Sequence, residues 1–257
     1  MPILAERGYL IPAIDTELVD YLSCAQQLAR SIRQWHPDAN ISVITVNRCD
    51  DPVFDHVIPL PYGDLGGFAN DWQCFAASPY RQTIKLEADM FVATPIDHWW
   101  TLFEKRDVVI SQGCKDLTNQ PSDNRTYRRL FDVNALPDVY NAVTYWRLSA
   151  RAKEFFELVR NIFENWDRFK TLLKFPDELA TTDVVYAMAA VIMGVETVTL
   201  PKGMGPMITH MKRYIIPTLT EDWTQELVWE DTDPGLRIHT TAQSGFVHYH
   251  IKDWRIA

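Results

Sequence analysis

SPYRQTIKLEADMFV, residues 78–92, runs from a turn into an apolar strand and then into two acids. Pro79 interrupts whatever precedes it. Thr83, Ile84 and Leu86 lead in as a buried strand would, and Met90, Phe91 and Val92 follow. Between them Glu87 and Asp89 stand two residues apart. In an extended segment residues i and i+2 point to the same side, so both carboxylates would face one small volume. On a helix they would diverge by about 200°. Neighbouring carboxylates repel and perturb each other's protonation. A hard divalent cation removes that conflict, and Mg2+ or Mn2+ commonly takes one or two carboxylates together with substrate phosphates. Two solvated strand-end acids are the plain alternative. The buried lead-in favours a site, because ligands of open α/β sheets bind at the carboxyl ends of strands.

Outward from this stretch the chain alternates strands and helices. YLIPAI (9–14) reads as a strand, and Asp15 or Thr16 as the cap of a helix. Leu18, Tyr21, Leu22, Ala25, Leu28, Ala29, Ile32 and Trp35 recur at three- and four-residue steps, one apolar helical face that Pro37 ends. ISVITV (41–46) is apolar throughout, as a strand covered on both faces would be, and a short strand is predicted near His56–Leu60. Strand, helix, strand predicts a parallel start. Short helices are predicted over 70–77 and 96–104, and a buried strand over 107–111. Residues 112–137 lack periodicity and read as a long loop. VYNAVTYW (139–146) is strand-like, Ser149 caps a helix with Phe155, Phe156, Val159 and Ile162 on its apolar face, and a further helix spans 182–193. GVETVTL (194–200) reads as a strand. In FVHYHIKDW (246–254), taken as extended, Phe246, His248, His250 and Lys252 share one face.

Composition narrows the class. The 257 residues are 47% hydrophobic and 23% charged, which supplies a sizeable core, and no linker or repeat divides them. The net charge of −9 disfavours a protein held to nucleic acid by bulk charge. Two local basic patches remain, Arg125, Arg128 and Arg129 in one and Lys212 and Arg213 in the other. The four cysteines, at 24, 49, 74 and 114, form no CxxC pair, so a thiolate zinc site is not expected. The start, MPILAERGYL, has no basic, apolar leader pattern. VVYAMAAVIMGV falls short of the about 20 residues that span a bilayer. A soluble, cytoplasmic protein with reduced thiols is the expectation.

Against that frame, SPYRQTIKLEADMFV resembles the Asp-x-Asp segment of metal-dependent GT-A glycosyltransferases, especially the glycogenin-like enzymes of family 8. The resemblance implies an α/β fold: one GT-A (Rossmann-like) domain over 1–257, with a mostly parallel central sheet flanked by helices. Residues 1–95 would be its nucleotide-binding half and 96–257 its acceptor-side half. Asp89 matches the second acid, and Glu87 stands where the first would be; they would hold Mn2+ or Mg2+ against a diphosphate. FVHYHIKDW is similar to the family's late His followed by Lys-Pro-Trp, with Asp253 in place of the Pro and the intervening Gly absent. It implies His248 as the third metal ligand, His250 as the alternative, and Lys252 on the diphosphate. VYNAVTYWRLS resembles the family's Asn-Ala-Gly strand, matched by Asn141 and Ala142 with Val143 for the Gly. PDELATTDVVYAMAA resembles the acidic helix start that follows, placing Asp183 at the sugar or acceptor and giving Asp177 and Glu178 less weight. The first strand would hold the nucleobase through backbone near Leu10, Pro12 and Ala13, and Arg81 and Lys85 would flank the nucleotide.

The implied reaction is retaining transfer of a hexose or pentose from a nucleoside diphosphate, a UDP-sugar, to an acceptor. That acceptor is a glycan or small molecule, or a hydroxymethylated DNA base of phage type in an infected bacterial cell. In the DNA case Arg125, Arg128, Arg129, Lys212 and Arg213 would steer the duplex. Two other readings stay open. A sugar-nucleotide nucleotidyltransferase would want a Gly-rich, basic loop after Ala13, where the sequence runs within a few residues into a helix. A binding module of the same fold would lack a working metal site.

Overall fold

The computed structural model describes residues 2–122, 128–173 and 179–255. The chain opens with β1 (Ala5–Pro12), then α1 (Tyr21–Trp35), β2 (Ile41–Ile44) and β3 (His56–Ile58). These three strands are parallel neighbours, as the apolar pattern predicts. The α1 cap differs from the expectation. Asp20 accepts the Ser23 N–H at 2.8 Å, while Asp15 and Thr16 bond Leu22 and Val19 from the preceding turn. Leu18 therefore lies before the helix and is exposed.

A single 3-10 turn at Gly67–Asn70 leads into α2 (Gln73–Ala77) and then β4 (Tyr80–Leu86). β4 runs parallel to β1 with Leu10 opposite Lys85, so the two strands end at the same edge of the sheet. Next come β5 (Met90–Val92), α3 (His98–Phe103), β6 (Val108–Gln112), β7 (Cys114–Lys115) and α4 (Arg129–Val133). The predicted loop over 112–137 thus contains two short elements. β8 (Val139–Arg147) follows, and then α5 (Ala150–Glu164), where Ser149 accepts the Ala152 N–H at 3.1 Å as predicted. α6 (Trp166–Leu173) and α7 (Thr182–Met193) complete the helices among the described residues.

The central sheet has the order β3-β2-β1-β4-β8-β6, and β8 alone runs against its neighbours. Alternation along β1 divides the core: Tyr9 and Ile11 pack with α1 on one face, Leu10 with α5 and α7 on the other. This is a three-layer α/β arrangement, and Ala187, Ala189 and Ala190 let α7 lie close in the second layer. Among the described residues no helix is long and apolar enough to cross a membrane.

GVETVTL is not a strand. Gly194 takes φ +87° and the chain makes a 3-10 turn at Val195–Thr197, meeting the sheet edge at Val198, whose carbonyl accepts the Ile110 N–H at 2.9 Å. The last strands are β9 (Ile208–His210), β10 (Trp229–Asp231), β11 (Leu236–Ile238), β12 (Thr241–Ala242) and β13 (Phe246–His248). β10, β11 and β12 form an antiparallel ribbon. A second sheet, β5-β13-β9-β7, places β13 between β5 and β9, over a core of Trp223, Tyr249 and Trp254.

Candidate active site

β4 ends at Leu86, so Glu87–Asp89 is a turn and not the strand end that the alternation implied. The two carboxylates converge for a different reason. The Glu87 N–H donates to the Ala142 carbonyl (3.1 Å), tying one side of the turn to β8. The Asp89 carbonyl accepts the Tyr249 N–H (3.2 Å), tying the other side to the last segment. β5 then pairs antiparallel with β13, His248 opposite Met90. His248 Nε2 lies 2.9 Å from Asp89 Oδ2 and 3.5 Å from Glu87 Oε2, and Lys252 Nζ contacts the same Asp89 oxygen.

Asp89 and His248 are buried, Glu87 and Lys252 are half-buried, and the four charges hold one another. Burial would raise Asp89, but His248 and Lys252 outweigh it and keep this carboxyl well below the usual range. For Glu87 burial wins and raises the carboxyl, against the pull of His248 and Lys85. Burial works against the charge on His248 too; Asp89 and Glu87 overcome it and raise the imidazole. Ligand atoms of Glu87, Asp89 and His248 lie within 4.8 Å of one another. Two hard oxygens and one imidazole are a donor set that Mn2+ accepts readily and Mg2+ accepts through the oxygens. The residues fit a divalent ion.

A second knot sits behind the first. Asp71, just before α2, takes Lys85 Nζ at 2.5 Å, Asn141 Nδ2 at 3.0 Å and the Tyr186 hydroxyl on one carboxylate. Asn141 Oδ1 accepts from Thr144 Oγ1 at 3.0 Å. Both ends of the Asn141 amide are thus engaged inside the protein, and its side chain is fully buried. Asp183, in the first turn of α7, accepts the Asn141 N–H at 2.8 Å and Arg128 Nη1 at 3.2 Å. Arg128 also pairs with Asp138 (3.0 Å), donates to the Val139 carbonyl (2.6 Å) and lies between the Phe131 and Tyr140 rings.

Several expected contacts move. Lys85 is fully buried against Asp71 and does not flank an open nucleotide pocket. Arg81 sits at the opposite end of β4, exposed and 3.6 Å from Glu6. Arg128 is buried, so it cannot serve as a surface contact for a duplex; Arg129 and Lys212 are exposed. Leu10 is paired on both sides within the sheet, which commits its backbone. Pro12 and Ala13 lie at the strand end, two and three residues beyond the Leu10–Lys85 pair and so level with the acidic turn. Arg125, Asp177 and Glu178 lie outside the described residues.

The extended reading of FVHYHIKDW holds only through His248. His250 takes φ +62° and turns the chain, so its ring stacks on His248 with centroids 3.8 Å apart. His210, at the end of β9, joins them from the neighbouring strand, its Nδ1 3.3 Å from His250 Nε2. Burial holds His210 and His250 well below the usual imidazole range. His210 and Asp71 carry no signal in the sequence; an isolated acid and an isolated histidine gain meaning only from partners far along the chain.

No protein-family model matches the chain, and no curated protein does. Solved structures do. The galactosyltransferase LgtC, in complex with donor and acceptor sugar analogues, is 10% identical over 72% of this chain and 70% of its own, with a TM-score of 0.45. Mouse xyloside xylosyltransferase 1 is 10% identical over 74% of this chain and 82% of its own, also at 0.45. The glycosyltransferase GlyE of Streptococcus pneumoniae TIGR4 is 9% identical over 76% of this chain and 51% of its own, at 0.43. The chain is thus similar, at low identity, to solved structures of sugar transferases.

Proposed function

We propose that the chain is a metal-dependent glycosyltransferase that moves a sugar, with retention, from a nucleoside diphosphate of the UDP type to an acceptor hydroxyl. One observation carries this reading. Two carboxylates, an imidazole and an ammonium, drawn from segments 159 residues apart, meet beyond the end of β4, level with the end of β1. That combination suits a divalent ion and a diphosphate together.

Glu87, Asp89 and His248 would hold Mn2+ or Mg2+, which when bound neutralises charge on the diphosphate. Lys252 is the ammonium of the set. Its ammonium rests on Asp89 and has a partly exposed side chain. It turns to the leaving diphosphate, where negative charge builds as the sugar–phosphate bond breaks. Pro12 and Ala13 line the nucleobase side, within the half formed by residues 1–95. Asn141 is a positioning residue: it braces the acidic turn through β8 and is itself fixed by Asp71 and Asp183. Asp183, about one-third exposed, faces the acceptor side within residues 96–257. Retention proceeds by front-side displacement, in which the acceptor proton passes to a departing diphosphate oxygen. The burial of Arg128 removes a member of the proposed basic patch, and a glycan or small-molecule hydroxyl is the favoured acceptor over a DNA base.

The test is a UDP-sugar screen with Mn2+, reading UDP release and the anomeric product. Asp89→Asn is expected to lower turnover about 10²–10³-fold, the cost of removing one preorganised electrostatic contact. Retained turnover in that variant overturns the reading. A protein that binds UDP but releases none from any donor is a binding module instead.

A further inference from the structure

β9 and β13 run side by side with His210 opposite His248, and His250 follows two residues later. Alternation would set His250 on the same face as His248 but about 6.4–6.8 Å further along the strand. It stacks on His248 instead because its backbone adopts φ +62°, a left-handed conformation that L residues other than Asn, Asp and His seldom take. Backbone held in such a region marks places where the surrounding structure imposes a geometry. Here the result is three imidazoles in one cluster. Ring centroids are 3.8 Å apart for His248–His250, 4.5 Å for His210–His250 and 5.4 Å for His210–His248.

We propose that His210, His248 and His250 form an imidazole-only metal site, adjoining the carboxylate pair and taking an ion of the Zn2+ class. Their ligand nitrogens lie within 4.8 Å of one another. The closest pair, His210 Nδ1 and His250 Nε2, is 3.3 Å apart. A tetrahedral ion with Zn–N bonds of about 2.0–2.1 Å has ligand–ligand edges of about 3.3–3.4 Å. That pair already stands at the required separation; the His248 ring, stacked on His250 with 27° between the planes, must rotate for its lone pair to converge on the same ion. Three imidazole nitrogens and no hard oxygen select Zn2+, Ni2+ or Cu2+, which would displace any ring proton from His248, whereas the Glu87–Asp89 side selects Mn2+ or Mg2+. His248 belongs to both sets, so the two ions compete for it. Zn2+ at the histidine cluster draws His248 from the carboxylates and weakens Mn2+ there. The proposal does not depend on sugar transfer, and its test involves no sugar.

The full chain, stripped of metal with a chelator, is titrated with Zn2+ by calorimetry and with Co2+ by visible absorption, which reports tetrahedral geometry directly. Mn2+ binding is followed separately by electron paramagnetic resonance. His210→Gln and His250→Asn are each expected to weaken Zn2+ by more than about tenfold, the least that loss of even an outer partner costs a metal site. His250→Asn keeps a residue that tolerates the left-handed backbone, so it tests the ring without disturbing the turn. Asp89→Asn is expected to leave the Zn2+ and Co2+ signals in place, and added Zn2+ to weaken Mn2+ binding to the unsubstituted protein. The proposal is overturned if Zn2+ binding survives both histidine substitutions. It is equally overturned if Asp89→Asn abolishes that binding as completely as they do, or if the unsubstituted protein gives no tetrahedral Co2+ spectrum.

Discussion

Asp71 anchors three donors on one carboxylate, and one of them, Lys85, is an ammonium with no exposure at all. Removing one partner of a buried pair leaves an uncompensated charge, which typically costs about 3–5 kcal/mol. Asp71→Asn is therefore expected to lose that much in urea unfolding, and Asp71→Asn with Lys85→Met to recover part of it. A single variant as stable as the parent would show that the pair is not carrying the ion. The same substitution loosens Asn141, so its effect on turnover should exceed that of a surface change of equal stability. At this scale legibility depended on local spacing. Glu87 and Asp89, and His248 and Lys252, sit two and four residues apart and could be read as sets. Asp71 meets Tyr186 across 115 positions and Asn141 across 70, so no local pattern marks it. Arg81 and Lys85 were misplaced because nearness to the motif does not say which end of a strand, or which face, a side chain occupies.

Elements are where close approach becomes a sequence requirement. Gly8 lies in β1 beneath the Tyr80 ring at the start of β4, and a Cβ there would fall 2.3 Å from Tyr80 Cζ. Overpacking of this kind typically costs about 1–3 kcal/mol. Gly8→Ala should destabilise by that amount, and by much less in a Tyr80→Leu background where the ring is gone; thermal unfolding of the four proteins reads the coupling. The α5 cap offers a milder case. Ser149→Ala removes the acceptor of the Ala152 N–H and is expected to cost about 0.5–2 kcal/mol. Ser149 was legible because it is a cap-type residue directly before an apolar helical period. The α1 cap was not, because Asp15, Thr16 and Asp20 are all competent and only the turn between them decides. The closing segment failed as a strand for a related reason: alternation assumes extended backbone, and His250 abandons it.

For the molecule as a whole, the order of strand, helix and strand made a mostly parallel α/β sheet legible, while the reversal of β8 was not, since orientation depends on how a distant segment enters the sheet. Buried phenols give the whole domain a signature in alkali. Burial raises Tyr80 and Tyr145 from 10.0 to about 12. In the unfolded chain both ionise near the lower value, so between the two the unfolded state binds fewer protons and unfolding is favoured. Their stabilisation is complete below pH about 10 and is lost as pH rises toward about 12. Unfolding free energy should fall across that window, and fall less steeply in Tyr145→Phe; a slope unchanged by the substitution would mean that this phenol ionises normally in the folded protein. The wide separation of Asp89 and His248 also sets a timetable. At about 5–20 residues per second, synthesis reaches the second ligand roughly 8–30 s after the first, 159 residues later. β13 must then insert between β5 and β9 before histidine and lysine can meet the two carboxylates. Throughout that interval a nascent chain with β1 to β4 already made holds Glu87 and Asp89 without their basic partners, so the charge set closes late and all at once.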